Sequence, residues 1–264
     1  MHLSHEMGDF APNFVGDDER IIYAHRLSTI KETMDRGLEP YSFEAAGPRN
    51  RIYFNPKESR AAIVTCGGLC PGINDVIRGL VYGLKHHYGV NTIYGIRYGY
   101  KGLVEESELE PIQLTTEKVE YIINQGGTYL GSSRGPQSVE AMIDFMQRRG
   151  INMLFTIGGD GTQRGALELA KEAGRRNLDI AIVGIPKTID NDVRFVEKSF
   201  GFESAYSTAT QVLQTAHAEA IGAFNGIAIV KLMGRHSGCI AANASVASGE
   251  ANFTLVPEIP FDLD

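Results

Sequence analysis

The chain has 264 residues, enough for one large domain or two modest ones, each with a real core. Its 43% hydrophobic and 22% charged residues are ordinary for a globular protein, and a formal net charge of −7 argues against nonspecific binding to nucleic acid or an anionic membrane, though a locally basic cleft stays open to a phosphorylated ligand. Three cysteines (Cys66, Cys70 and Cys239) are too few for a disulfide framework, and with no secretory or membrane-length apolar run read in the sequence the expected location is the cytoplasm.

Residues 1–59 are polar and unlike the rest of the chain, and read as an N-terminal extension that wraps over a later domain or a partner subunit. Within it, the pattern over 17–35 predicts one amphipathic helix, with Asp17 and Asp18 at its positive end and Gly37 as its stop. His2, His5 and His25 lack ligand spacing and are expected at the surface. Cys66 and Cys70 have no His or further Cys at zinc spacing and read as buried or loop thiols.

From Arg60 onward strands and helices alternate. Strands are predicted at 61–65, 90–96, 151–157 and 180–185, and helices at 73–88, 116–125, 139–149 and 162–174. That alternation argues for βαβ units, a parallel sheet and helices on both of its faces. Thirty glycines are more than turns need, and they cluster in loops at 67–72, 98–102, 126–135 and 158–161. Ligands of such sheets bind at the carboxyl ends of the strands, where these loops converge.

Gly158-Gly159-Asp160-Gly161 lies between an apolar strand and a helix. Glycines let the backbone approach a ligand, and the helix start offers free N–H groups to phosphate. Asp160 then has two readings: an anchor for Mg²⁺ between itself and the phosphate, or a simple helix cap. After strand 180–185 comes Pro186-Lys187-Thr188-Ile189-Asp190-Asn191-Asp192, where two carboxylates two residues apart point the same way if the loop is extended. The pair suits a proton acceptor with an orienting neighbour, and the competing reading is an Asx-rich turn.

A helix is predicted over 203–221, a strand over 227–232, the loop Met233-Gly234-Arg235-His236-Ser237-Gly238, a helix over 239–247 and a strand over 252–256 followed by Glu258. Arg235 suits a phosphate, because guanidinium binds it bidentately. His236 reads as structural or as an acid–base group.

In their order and spacing, Thr65-Cys-Gly-Gly-Leu-Cys-Pro-Gly-Ile-Asn74, Gly158-Gly-Asp-Gly-Thr162, Pro186-Lys-Thr-Ile-Asp-Asn-Asp192 and Met233-Gly-Arg235 resemble the 6-phosphofructokinase family over about 47–260. The resemblance implies a three-layer, Rossmann-like α/β nucleotide domain at 60–200 and part of a smaller α/β sugar-phosphate domain at 201–264. It implies transfer of a phosphoryl group to D-fructose 6-phosphate, giving fructose 1,6-bisphosphate in glycolysis, in an allosteric enzyme that assembles as a dimer or tetramer. Gly67, Arg134, Gly135, Gly159, Asp160, Gly161 and Thr162 would hold ATP, with Mg²⁺ at Asp160. Asp190 would be the base, supported by Asp192, Thr188 and Arg235. Thr188, Ile189, Asp190, Met233, Gly234, Arg235 and Glu258 would contact the sugar phosphate.

Two positions bear on the donor. Gly161 leaves room for the α-phosphate of a nucleotide, and together with Lys187 it resembles the ATP-dependent branch of plants, trypanosomes and some bacteria. Lys187 alone is similar to the diphosphate-dependent branch, which is the second expectation. Many bacterial members of the family have an Arg near the start of the strand before Met-Gly-Arg that Asn225-Gly-Ile lacks, and family members continue beyond the length seen here. A fragment of a longer product is therefore expected, and a non-catalytic regulatory chain is the competing reading. A dinucleotide-binding dehydrogenase fits less well, because Gly67-Gly-Leu-Cys-Pro-Gly72 has its glycines at the first, second and sixth places.

Overall fold

The structure is a computed structural model that describes residues 5–6 and 14–262. His2 and the side chain of His5 lie outside the described residues, and His25 is exposed as expected.

The elements run β1 (His5–Glu6), β2 (Arg20–Ile22), α1 (Leu27–Asp35), β3 (Ser42–Glu44), β4 (Arg51–Ile52), β5 (Arg60–Thr65), α2 (Ile73–Tyr82), β6 (Thr92–Ile96), β7 (Ile112–Gln113), α3 (Thr116–Val119), α4 (Val139–Arg149), β8 (Met153–Gly158), α5 (Asp160–Arg175), β9 (Ala181–Pro186), α6 (Phe202–Gly222) and α7 (Cys239–Ser248). Strands β7-β6-β5-β8-β9 form one sheet. β6, β5, β8 and β9 are parallel, in the register Ala61↔Ile93, Ala61↔Met153 and Met153↔Ala181. β7 closes one edge antiparallel to β6, an element too short to read from the sequence.

The three-layer arrangement follows from burial on both faces. Ala62, Val64 and Leu154 point to a cluster with Met142, Phe145 and Met146 of α4 and Leu169 of α5. Ala61, Ile63 and Ile157 point to the opposite cluster with Ile73, Ile77 and Val81 of α2 and Val119 of α3. A parallel strand covered on both faces needs a continuous apolar run, which is why these strands were readable.

Three expectations need correction. The amphipathic pattern at 17–35 is not one helix: 20–22 pairs with 42–44 as a hairpin and only Leu27–Asp35 is helical, so its first turn holds no acidic residue. Asp17 instead pairs with Arg49 at 3.7 Å. The helix of 116–125 stops at Val119, with a 3₁₀ turn at Ile122–Asn124. The strands expected at 227–232 and 252–256 are irregular, so among the described residues 201–262 contain helices and no strand. The physical reason is that a strand's N–H and C=O groups need a neighbouring ladder, and none of the described residues lies alongside to supply it.

Candidate active site

Strand order reverses between β5 and β8: the chain goes from β5 outward to β6 on one side, then returns to place β8 on the other. Loops leaving two such neighbouring strands diverge and open a crevice at their carboxyl ends. A cleft of about 710 Å³ lies there.

Its walls are built by the glycine loops. After β5, Gly67 takes a left-handed φ of +82°, its N–H donates to the Ser133 carbonyl at 3.1 Å, and its carbonyl accepts from the Ser132 hydroxyl at 2.6 Å. Two glycine loops far apart in sequence are thereby stitched together. The Arg134 guanidinium then lies against Gly68. After β8, Gly159 caps α5, so Asp160 is its first helical residue and not its cap. In this first turn the Thr162 and Gln163 N–H groups donate to the Gly159 carbonyl, at 2.9 and 3.0 Å, which leaves Asp160 and Gly161 as the helix-start amides without an intrahelical acceptor; both residues line the cleft with Gly67 and Gly68. Thr162 is buried, and its carbonyl accepts from the Tyr100 hydroxyl at 2.8 Å.

After β9 the chain enters the Lys187–Asp192 loop. Lys187 is 5% exposed and donates through Nζ to the Gly68 carbonyl. Burial pulls its ammonium below the ordinary lysine range. A buried cation is costly unless an anion joins it, so this one is an incentive for an anionic ligand. The Thr188 hydroxyl donates to Asp192 at 2.9 Å and accepts from the Asp190 N–H at 3.0 Å. The Asp190 carbonyl accepts from the Ser237 hydroxyl at 2.8 Å, which ties this loop to the Met233–Gly238 segment.

Asp190 has a buried carboxylate oxygen, Oδ1, with no hydrogen-bond partner. Burial raises its pKa, the Asp192 charge raises it further, and Lys187 opposes both. An unsatisfied, hard-to-ionise carboxyl in a cleft is a group ready to receive a proton.

Of the residues singled out in sequence, Gly67, Arg134, Gly135, Gly159, Asp160, Gly161, Thr162, Lys187, Thr188, Ile189, Asp190, Asp192 and Met233 all line this one cleft. Gly234, Arg235 and Glu258 lie outside its lining. Arg235 is exposed beside Met233, and Glu258 accepts from the Gly238 N–H at 2.8 Å at the start of α7. His236 is exposed. Sequence reasoning missed Tyr100 and Arg164, which also line the cleft. Arg164 follows Asp160 by one helical turn and pairs with it, a spacing that was there to be read.

Asp160 is half exposed at the cleft rim. Among the described residues no three His, Cys, Asp or Glu side chains are grouped to hold a metal by themselves. Cys66 and Cys70 are free and buried, and burial raises both thiols, Cys66 to about 11, so they are neutral and unreactive at pH 7.

The family model described as Phosphofructokinase matches residues 60–264. The chain is 49% identical over 254 residues to an ATP-dependent 6-phosphofructokinase of Borreliella burgdorferi, covering 96% of this chain and 56% of the relative. It is 52% identical over 227 residues to one of Trypanosoma cruzi, covering 86% and 47%. The chain thus spans about half the length of the curated relatives it matches. Among solved structures, a pyrophosphate-dependent phosphofructokinase from Marinobacter aquaeolei superposes with a TM-score of 0.65 at 26% identity, covering 77% of this chain and 54% of that one.

Proposed function

The chain belongs to the phosphofructokinase family, and from that premise we propose that its cleft binds ATP and D-fructose 6-phosphate and moves the γ-phosphoryl group to the sugar's 1-hydroxyl. The observation that carries this reading is Asp190, whose unpartnered buried Oδ1 stands among the Lys187 ammonium, the Arg134 guanidinium and the glycine amides.

Each group has a part. Arg134, Lys187 and the N–H groups of Asp160 and Gly161 at the start of α5 hold and neutralise the donor's phosphates, with Gly67, Gly135, Gly159 and Thr162 shaping the wall around them. Asp190 takes the proton of the 1-hydroxyl as its oxygen bonds to the γ-phosphorus and the bond to the β-phosphate oxygen breaks, releasing ADP. Thr188 holds Asp192, which keeps the Asp190 pKa raised. Ile189, Met233, Gly234, Arg235 and Glu258 contribute to the sugar-phosphate side, with Arg235 on the 6-phosphate.

Asp160 fits Mg²⁺, a hard cation that takes one or two carboxylates and fills its other positions with water and substrate phosphates. When bound, it supplies further neutralisation of the phosphate charge; until then Arg164 balances Asp160.

A diphosphate donor is the second reading, favoured by the buried Lys187 in the cleft wall. We assign the protein to glycolysis in the cytoplasm as a dimer or tetramer under allosteric control. The negative net charge supports small-molecule rather than nucleic-acid partners, and no helix among the described residues is long and apolar enough to cross a membrane.

The test is a coupled assay for fructose 1,6-bisphosphate with Mg²⁺ and either ATP or diphosphate. Turnover with ATP alone is expected. Turnover with diphosphate alone would overturn the donor assignment, and ATP binding without turnover under any condition would overturn the catalytic one.

A further inference from the structure

We propose that the N-terminal arm is a latch on the catalytic loop, gripping it through Phe195 and so positioning Asp190 and Asp192.

The loop after β9 carries Asp190 and Asp192 and then turns outward. Its base is tied internally: Asn191 donates to the Glu197 carbonyl at 2.9 Å and accepts from the Ser199 N–H at 2.8 Å, while the Ser199 hydroxyl donates to the Thr188 carbonyl. A turn closed by the Val196 N–H on the Val193 carbonyl, 3.1 Å, puts Phe195 at its tip. There Phe195 has φ +68°, a left-handed conformation that a bulky side chain does not adopt unaided. Such a residue stays where it is only when its surroundings hold it.

Those surroundings come from the arm. Tyr23 meets the Phe195 ring edge-on at 5.2 Å and Phe43 at 5.7 Å, and Tyr41 stands tilted at 6.2 Å. Arg194 covers the ring from its own loop at 4.7 Å. These three arm rings share one hairpin: β2 pairs with β3 through Ile21↔Phe43, and the Tyr23 N–H donates to the Tyr41 carbonyl at 2.9 Å. Phe195 is still 39% exposed, so the arm does not bury the ring; edge-to-face contacts at these distances are favourable and directional, and they fix where the ring stands.

The arm therefore sets the outer end of a loop whose inner end is the reaction centre. With the hairpin seated, the loop between Thr188 and Ser199 is held from both sides. Without it, the strained tip relaxes and Asp190 loses its fixed place beside Lys187. The effect on turnover rests on Asp190 being the base; the effect on the loop does not.

Hydrogen exchange and kinetics separate the two. In a Tyr23→Ala/Phe43→Ala variant, amides of 190–199 are expected to exchange at least about ten-fold faster while those of β5 and β8 stay protected. ATP affinity is expected to stay within about two-fold while kcat falls at least about ten-fold, and Phe195→Tyr, which keeps the ring, is expected to behave as wild type. Phe195→Gly removes the ring while relieving the backbone, so it guards against a variant that simply misfolds; combined with the arm variant it is expected to add nothing further. Unchanged exchange at 190–199 in both variants, or fully additive effects, would overturn the latch. Faster exchange in the arm variant with no turnover in the wild-type chain would leave the latch standing and overturn the function proposed above.

Discussion

Asp190 illustrates how one carboxyl can be made reactive by its surroundings. Its raised pKa means that the folded protein holds that proton more tightly than the unfolded chain does, so this group's contribution to stability is present at pH below the ordinary carboxylate range and is lost as pH rises through the folded value. In the proposed reaction activity runs the other way, because Asp190 acts there as a base only when ionised. The acid limb of the rate profile should accordingly lie above the ordinary range for Asp, and Asp192→Asn, by removing the like charge, should move that limb to lower pH. A pH series of kcat/KM checks it, and a limb that stays in place would remove Asp192 from the account. Asp190→Asn should lower kcat by about 10²–10⁴ while ATP still binds. Gly161 can be probed from the opposite direction: a Cβ there meets nothing within 4 Å. Gly161→Asp should thus leave stability within about 0.5 kcal/mol of wild type while weakening ATP binding, since the new carboxylate stands at the cleft where donor phosphates are placed. Nucleotide titration beside a denaturant melt tells the two effects apart.

The β8–turn–α5 unit shows the same logic one level up. Gly159 sits at φ −77°, ψ −167°, extended backbone that any residue adopts, so conformational freedom is not what demands glycine there. A Cβ at Gly159 would meet only the Lys187 carbonyl, at 3.4 Å, whereas close approach does demand glycine at its neighbours: a Cβ on Gly158 would fall on the Thr162 side chain, and one on Gly165 would stand 2.7 Å from the Tyr100 ring. Gly158→Ala should cost about 1–3 kcal/mol in chemical denaturation through overpacking, and it should weaken nucleotide binding by shifting the α5 start. A melt indistinguishable from wild type would mean that the turn has slack. These elements were legible because each parallel strand, β5, β6, β8 and β9, carries a short run of mostly apolar residues, buried in full along most of β5 and ended by Gly158 in β8 and Pro186 in β9, a local signal for a local structure. Asp190, Lys187 and the glycine loops were legible for a similar reason, as dense polar or glycine clusters at strand ends. What escaped depended on partners distant in sequence. The hairpin of β2 and β3 took residues whose own periodicity suggested helix, β7 borrowed its identity from β6, and the ring cage around Phe195 exists only once 20–44 has folded onto 193–196. The stretches 227–232 and 252–256 are the inverse case, with strand-like sequences and no ladder to join.

At the scale of the whole molecule, the glycine-walled cleft and the segment after α6 stand in contrast. The cleft is built from 66–192, apart from Met233, and rests on two closed hydrophobic clusters. Past α6, Phe224 is 96% exposed, Ile229 90% and Phe253 88%, with Ile227, Leu255, Ile259 and Phe261 also open to solvent. Monomeric proteins seldom leave apolar groups gathered in this way, and extended backbone with unpaired hydrogen-bonding groups invites pairing with another chain. The 264-residue chain should consequently self-associate as its concentration rises and should bind an apolar dye, both measurable by sedimentation and fluorescence. Phe224→Ser/Ile229→Ser/Phe253→Ser should reduce both signals together and leave nucleotide affinity unchanged, because none of the three side chains reaches the cleft. A chain that stays monomeric without binding dye would mean that this segment finds cover within its own fold. A triple variant that also loses nucleotide would mean that the cleft depends on the segment's packing, and Ser237, the link between the Met233–Gly238 loop and Asp190, would be the place to look.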